Sequence, residues 1–173
     1  MEIRPVRPEE YEEAGAATAQ AYREFVSSPD DWNQYLRRLA DVNARADRTL
    51  VLVAVDDDGI LGTVTIETED RVPGSRDRPP LAEDEAHVRM LGVRPDVQGR
   101  GVGRALMEAV VAEARRLGKR RITLDTTEAM VAAQRLYESM GFRRGDDLVY
   151  DDDFRLRWYE LALDDEEEEA GSP

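Results

Sequence analysis

Apolar positions along the chain fall in blocks whose spacing switches between about two and about 3.6 residues, the periods of strands and helices. Thr49 to Val55 and Ile60 to Glu67 are runs rich in β-branched residues, parted by Asp56-Asp57-Asp58-Gly59. With Gly59 supplying the positive φ of a tight turn, they predict an antiparallel hairpin. Before it, Ile3 to Val6 predicts a short strand, and Pro8-Glu9 opens a helix reaching about Val26. Ser28-Pro29-Asp30 starts a second helix with Trp32, Tyr35, Leu36 and Leu39 at helical spacing. These side chains read as core, with the lining of an acceptor pocket as the alternative.

After the hairpin, Thr68 to Leu81 holds three prolines and a glycine among mixed charges, and predicts a mobile loop bordering a binding site. A fourth strand, Glu85 to Val93, leads into a glycine-rich turn and a helix from Gly101 to Leu117, stopped by Gly118. Val102, Ala105, Leu106, Ala109, Val110, Ala114 and Leu117 form one apolar stripe that would seat this helix on a sheet. Ile122 to Thr126 predicts a buried strand, and Met130 to Met140 a helix ended by Gly141. Phe142 to Tyr150 and Phe154 to Leu163 predict two last strands around Asp151 to Asp153. The pattern is a mixed α/β domain over residues 1–163, without internal repeats.

Composition narrows the chemistry. A chain of 173 residues with 41% hydrophobic content can bury one full core. It has no cysteine, which excludes disulfides, thiolate–metal sites and an acyl-cysteine intermediate, and its one histidine is His87. No metal is expected. The acidic turn fails as a calcium loop, because placing Gly59 sixth puts Ala54 first and Thr65 twelfth. The net charge of −14 argues against nucleic acid and favours cationic partners or plain solubility. No run approaches the roughly 18 apolar residues of a membrane span, and Met1-Glu2-Ile3-Arg4 lacks a signal-peptide core, so a cytoplasmic protein is expected. The run Asp164 to Glu169 predicts a disordered acidic tail over residues 164–173.

The strongest chemical signal is Gln98-Gly99-Arg100-Gly101-Val102-Gly103, lying between a strand and a helix. Free N–H groups and the positive end of the helix dipole converge there on an anion, and Arg100 and Arg104 add charge. A Rossmann or P-loop reading fails, because neither G-x-G-x-x-G nor G-K-[ST] is present and the site follows the fourth strand rather than the first. The run, with its lead-in Leu91-Gly92-Val93-Arg94-Pro95, resembles motif A of the GNAT acetyltransferase superfamily, Gln98, Gly101 and Gly103 filling its signature positions. The order of elements along the chain before the tail is similar to that family's.

This resemblance implies a central mixed, mostly antiparallel sheet of about seven strands with helices on both faces, splayed between the fourth and fifth. It implies acetyl-CoA as co-substrate, its diphosphate held by Gln98, Gly99, Arg100, Gly101, Val102, Gly103 and Arg104. The backbone of Leu91, Gly92 and Val93 would pair with the pantetheine arm as an added strand, and Gly92 would permit a bulge that opens the slot. Tyr137-x-x-x-Gly141-Phe142 matches a second family motif, whose tyrosine faces the CoA sulfur and can give its proton to the departing thiolate. Where the family often has an asparagine seven residues earlier, this chain has Met130, suited only to packing against the apolar part of the arm.

An amine nucleophile of pKa about 10.4 must lose a proton before it attacks. His87 lies six residues before Val93, where some family members carry a catalytic glutamate, and Glu85 shares its strand face. Water relays to Glu83, Asp84 or Glu85 are the other routes to a base. Direct attack is favoured over a covalent enzyme intermediate. The acceptor is read as a primary amine, on a small molecule or a protein. A CoA-binding sensor without turnover remains open, as does another acyl donor such as succinyl-CoA, with Arg89 or Arg94 pairing its distal carboxylate. The last two strands offer an edge for a homodimer.

Overall fold

The computed structural model describes residues 1–26, 29–69, 80–150 and 154–163, without the side chains of residues 29–33. The expected mobile loop from Thr68, the side chain of Trp32, the turn at Asp151 and the acidic tail therefore fall wholly or mostly outside the described residues. The strands are β1 (Glu2–Pro5), β2 (Leu50–Asp56), β3 (Gly59–Glu67), β4 (Glu85–Val93), β5 (Arg121–Thr126), β6 (Arg143–Arg144), β7 (Leu148–Val149) and β8 (Arg155–Ala162). The helices are α1 (Tyr11–Tyr22), α2 (Pro29–Ala40), α3 (Asn43–Ala46), α4 (Val102–Arg116) and α5 (Val131–Ser139). Short 3₁₀ turns, Pro8–Glu10 and Arg23–Phe25, enter and leave α1.

The strands form one sheet in the order β1-β2-β3-β4-β5-β8-β6, with β7 also on β8. Only β4 and β5 run parallel. Eight strands stand where about seven were expected, because the segment Phe142 to Tyr150 is broken in two. Gly145 donates its N–H to Trp158 O at 2.9 Å, and a Cβ there would meet the Trp158 ring at 3.0 Å. An Arg144–Asp147 pair at 2.7 Å then closes the kink.

Alternation along β2 divides the core between the two faces. Leu52 and Ala54 join the cluster under α4 and α5, with Leu106, Met107, Val110, Ile122 and Leu124. Val51 and Val53 join Ala14 and Ala17 of α1, with Val42 and Ile60. The α4 stripe is as expected except at its end, where Leu117 is exposed and Met107 is buried in its place. Leu39 of α2 is buried, Leu36 is half-buried, and Tyr35 is exposed with its ring edge-on to Tyr22. Small residues let α1 lie close to its neighbours: a Cβ on Gly15 would collide with the Ala40 carbonyl of α2.

The parallel pairing of β4 and β5 runs only from Glu85↔Arg121 to Val88↔Leu124. Beyond it Arg89 to Val93 stay with β3 while Asp125 and Thr126 follow β8, so the sheet parts. The bulge behind this divergence lies at Met90, φ 54°, where the register jumps from Thr65↔Arg89 to Thr63↔Gly92. Gly92 is not the hinge expected of it. It is glycine because α1 crosses it, the Ala21 Cβ lying 3.0 Å from where its own Cβ would stand.

Candidate functional site

Below the parted strands, the turn after β4 leads into α4. Gly99 (φ 78°) and Gly101 (φ 80°) both adopt the left-handed conformation, Gly101 as the residue capping the helix. Nothing lies within 4 Å of a Cβ at either position, so the surface above them is open. The first-turn N–H groups of Val102, Gly103 and Arg104 have no acceptor within the helix, as at any helix start. Gly103 serves packing as well, since a Cβ there would meet Leu136 of α5 at 3.3 Å and Val93 of β4 at 3.6 Å. Gln98 Nε2 reaches back to Val93 O at 3.4 Å, and Arg104 donates to Ser139 Oγ at 2.6 Å, tying the turn to the end of β4 and to α5. Arg100 is exposed beside them, and Leu91 and Val93 are half-buried.

Tyr137 projects from α5 against Phe142 and Tyr159 and is only 5% exposed. No group among the described residues hydrogen-bonds its hydroxyl. Burial raises its pKa well above the ordinary tyrosine value, with Asp125 and Tyr159 adding to the effect. Tyr22, at the end of α1, is raised likewise by burial and then by Tyr35, Tyr137 and Asp125. Met130 caps the start of α5 and is half-buried.

The face of the sheet under α1 carries a polar layer. His87 is 0% exposed, its ring stacked on Trp158 at a centroid distance of 5.6 Å. Its Nδ1 lies 2.8 Å from Thr123 Oγ1, and the Thr123 hydroxyl donates in turn to Glu85. Because that hydroxyl's one proton is committed to Glu85, its oxygen accepts from Nδ1–H. Nε2 then faces Asp125 Oδ2 at 3.6 Å, an attraction that needs a proton on the imidazole or the carboxyl. Glu85 is anchored further by Arg121 at 3.5 Å and by the Ala82 N–H at 3.3 Å. His87 and Glu85, read from the sequence as alternatives, are thus links of one buried chain.

Asp125 and Tyr22 escaped the sequence reading. Asp125 had a signal, a lone carboxylate inside the apolar strand Ile122-Thr123-Leu124-Asp125-Thr126. Tyr22 had none, since a tyrosine on an apolar helix face reads as core. The two arginines considered for a distal carboxylate are engaged already: Arg89 bonds Glu67 at 2.8 Å, and Arg94 pairs with Asp96 at 2.5 Å. Beside the bulge a cleft of about 450 Å³ opens between the α2–α3 corner and the strands β3 and β4. Among the described residues no cluster of three or more His, Asp or Glu could hold a metal ion. Among them, too, no helix is long and apolar enough to cross a membrane.

The sheet parts at its one parallel pair among the described residues, and a glycine turn leads from β4 into the N-terminus of α4. The chain belongs to the acetyltransferase (GNAT) family, whose profile matches residues 10–142. It is 39% identical over 124 residues to the mycothiol acetyltransferase of Geodermatophilus obscurus, a match covering 70% of this chain but 38% of that protein. A second relative is the [ribosomal protein bS18]-alanine N-acetyltransferase of Escherichia coli, 41% identical over 59 residues, covering 34% of this chain and 40% of that one. The chain thus matches less than half the length of either. Among solved structures, the PaiA N-acetyltransferase of Thermoplasma acidophilum in complex with coenzyme A superposes with a TM-score of 0.72 at 15% identity, over 92% of this chain and 98% of that one. A GNAT family acetyltransferase from Brucella melitensis in complex with acetyl-CoA gives 0.61 at 23% identity, over 95% and 88%.

Proposed function

We propose that this protein transfers the acetyl group of acetyl-CoA to a primary amine by direct attack. The observation that carries the reading is the parting of β4 from β5, together with Tyr137, a buried residue whose hydroxyl no described residue hydrogen-bonds. The residues fit the co-substrate. Open, left-handed glycines and the first-turn N–H groups from Gln98 to Arg104 suit a diphosphate. The edge of β4 from Leu91 to Val93, left by β5, suits an extended amide-bearing arm.

In the reaction, the amine nitrogen forms a bond to the thioester carbonyl carbon, and the carbon–sulfur bond breaks. The nitrogen loses one proton to a base, and the thiolate gains one from Tyr137. A tyrosine whose pKa is raised holds its proton at neutral pH and is available as that donor. For the base we favour Asp125, whose side chain is 10% exposed, over His87, which no solvent reaches. His87 then acts through Asp125, sharing its proton and linking it to Thr123 and Glu85. This is a positioning role.

The test is thiol release from acetyl-CoA across a panel of amines. Because the chain has no cysteine, a thiol reagent reads released CoA alone. Tyr137→Phe is expected to lower kcat about a hundredfold, the usual worth of a positioned acid, and to leave the KM for acetyl-CoA nearly unchanged. Binding of acetyl-CoA without release for any amine would instead favour a non-catalytic CoA sensor. Failure to bind CoA at all sinks both readings.

A further inference from the structure

The cleft beside the bulge carries chemistry that acetyl transfer leaves unused. Its walls include Thr65 and Met90, four arginines, Arg38, Arg45, Arg48 and Arg89, and three carboxylates, Asp41, Asp47 and Glu67. The arginines outnumber the carboxylates there, in a chain whose net charge is −14. Arg45 is the informative one. It is 4% exposed, and a guanidinium has five N–H donors to satisfy. Nε donates to Thr65 Oγ1 at 3.3 Å, and Nη1 donates to Arg38 O at 3.2 Å and Asp41 O at 2.9 Å. Nη2, with the remaining two, is buried and has no hydrogen-bond acceptor among the described residues.

Charge leads to the same conclusion as the donor count. Arg45 has no carboxylate within ion-pair distance among the described residues, whereas Arg89 has Glu67 at 2.8 Å. Desolvation, followed by repulsion from Arg89, brings the Arg45 pKa down to about 10. Asp41 attracts the Arg45 guanidinium without bonding it, its Oδ1 accepting instead from the Ala44 N–H, and Glu67 is bonded to Arg89. A structural pin for the α2–α3 corner would need only the three bonds already made. A bare, buried guanidinium edge costs free energy that an oxyanion returns.

We propose that the cleft binds the acceptor by an oxyanion, so that the substrate class is a primary amine bearing a carboxylate or a phosphate, its negative group against Arg45 and Arg89. The inference rests on the acetyl-transfer reading only for the amine. The cleft wall includes Met90, which precedes Leu91 on β4. Tyr22 also lies within electrostatic reach of Arg45 and Arg89 on one side and of Tyr137 and Asp125 on the other. An acceptor of this class carries an anionic group beside its amine, where composition alone favours a cationic partner.

The experiment uses matched pairs: alanine against alaninamide, and phosphoethanolamine against ethanolamine. Each is titrated by calorimetry into the full chain in the presence of CoA, and each is then offered with acetyl-CoA for thiol release. The anionic member of at least one pair is expected to bind about tenfold or more tightly, the worth of one charge-assisted hydrogen bond, and which pair responds tells carboxylate from phosphate. Arg45→Gln should close the gap to about twofold. Where its melting curve shows a lost fold, Arg89→Gln is read the same way. Equal binding within both pairs overturns the inference, as does a gap that survives both substitutions. Arginine-dependent binding without thiol release keeps the cleft and defeats acetyl transfer. Release from charged and neutral amines at equal kcat/KM does the reverse.

Discussion

His87 and Asp125 face one another but differ in what can reach them, the first fully buried and the second 10% exposed at its side chain. The imidazole is sealed between Trp158, Thr123 and Asp125, while the carboxylate stands where the strands part. If Asp125 takes the amine's proton, Asp125→Asn lowers kcat by about a hundredfold, while His87→Gln costs about tenfold and moves the acid limb of the pH–rate profile. Equal losses with no movement of that limb would assign His87 to packing alone. Tyr137 gives a separate test through stability. Its folded pKa is raised, so above about pH 10 the unfolded chain releases a proton that the folded chain keeps. Stability therefore falls as pH rises beyond that point. Denaturant titrations should show a flatter alkaline limb for Tyr137→Phe than for the wild type.

The elements around the site explain which glycines matter and for what reason. Gly101 is held at φ 80° with open space above it, so Gly101→Ala costs about 1 kcal/mol of strain and should raise the KM for acetyl-CoA more than it lowers the melting temperature. Gly92→Ala does the opposite. Its Cβ would meet Ala21 at 3.0 Å, so α1 must shift at a cost of about 1–3 kcal/mol, read in the unfolding midpoint. At the start of α1, Arg4 holds Glu10 at 2.6 Å and lowers its pKa to about 2. That stabilisation is present above the unfolded carboxylate value and is lost as pH falls through about 2. The pair is half-buried at the edge of the fold, so Glu10→Gln should lower the melting temperature at neutral pH by about 2 °C, with the difference vanishing in strong acid.

Most elements were legible because periodicity is local: the hairpin β2–β3, the α4 stripe and the strand–turn–helix at Gln98 follow from neighbours in sequence. The short α3 was not, being four residues long. The break between β6 and β7 was not either, since it depends on Trp158 of another strand. At the candidate site, the motifs gave the glycine turn its place between β4 and α4 and Tyr137 its place on α5. The roles of Gly92 and Gly103 could not, because each is set by a helix far away in the chain.

For the molecule as a whole, the domain is proposed to close at Leu163, which is buried and donates its N–H to Arg120 O at 2.8 Å. A chain ending there loses the six carboxylates from Asp164 to Glu169 and should melt within about 1 °C of the full chain. A drop of several degrees would place part of the acidic segment in the fold. Net charge and local charge also separate at this scale: the chain is strongly acidic, while the cleft beside the bulge is lined by four arginines and three carboxylates. The sequence alone determined most of the element order, the absence of thiol chemistry and the glycine turn between β4 and α4, because each depends on composition or short-range spacing. Tertiary structure alone decided where the sheet opens, which carboxylate stands where the strands part and that Arg45 is buried with a bare edge. Those properties arise from contacts between residues distant in the chain, which no local pattern encodes.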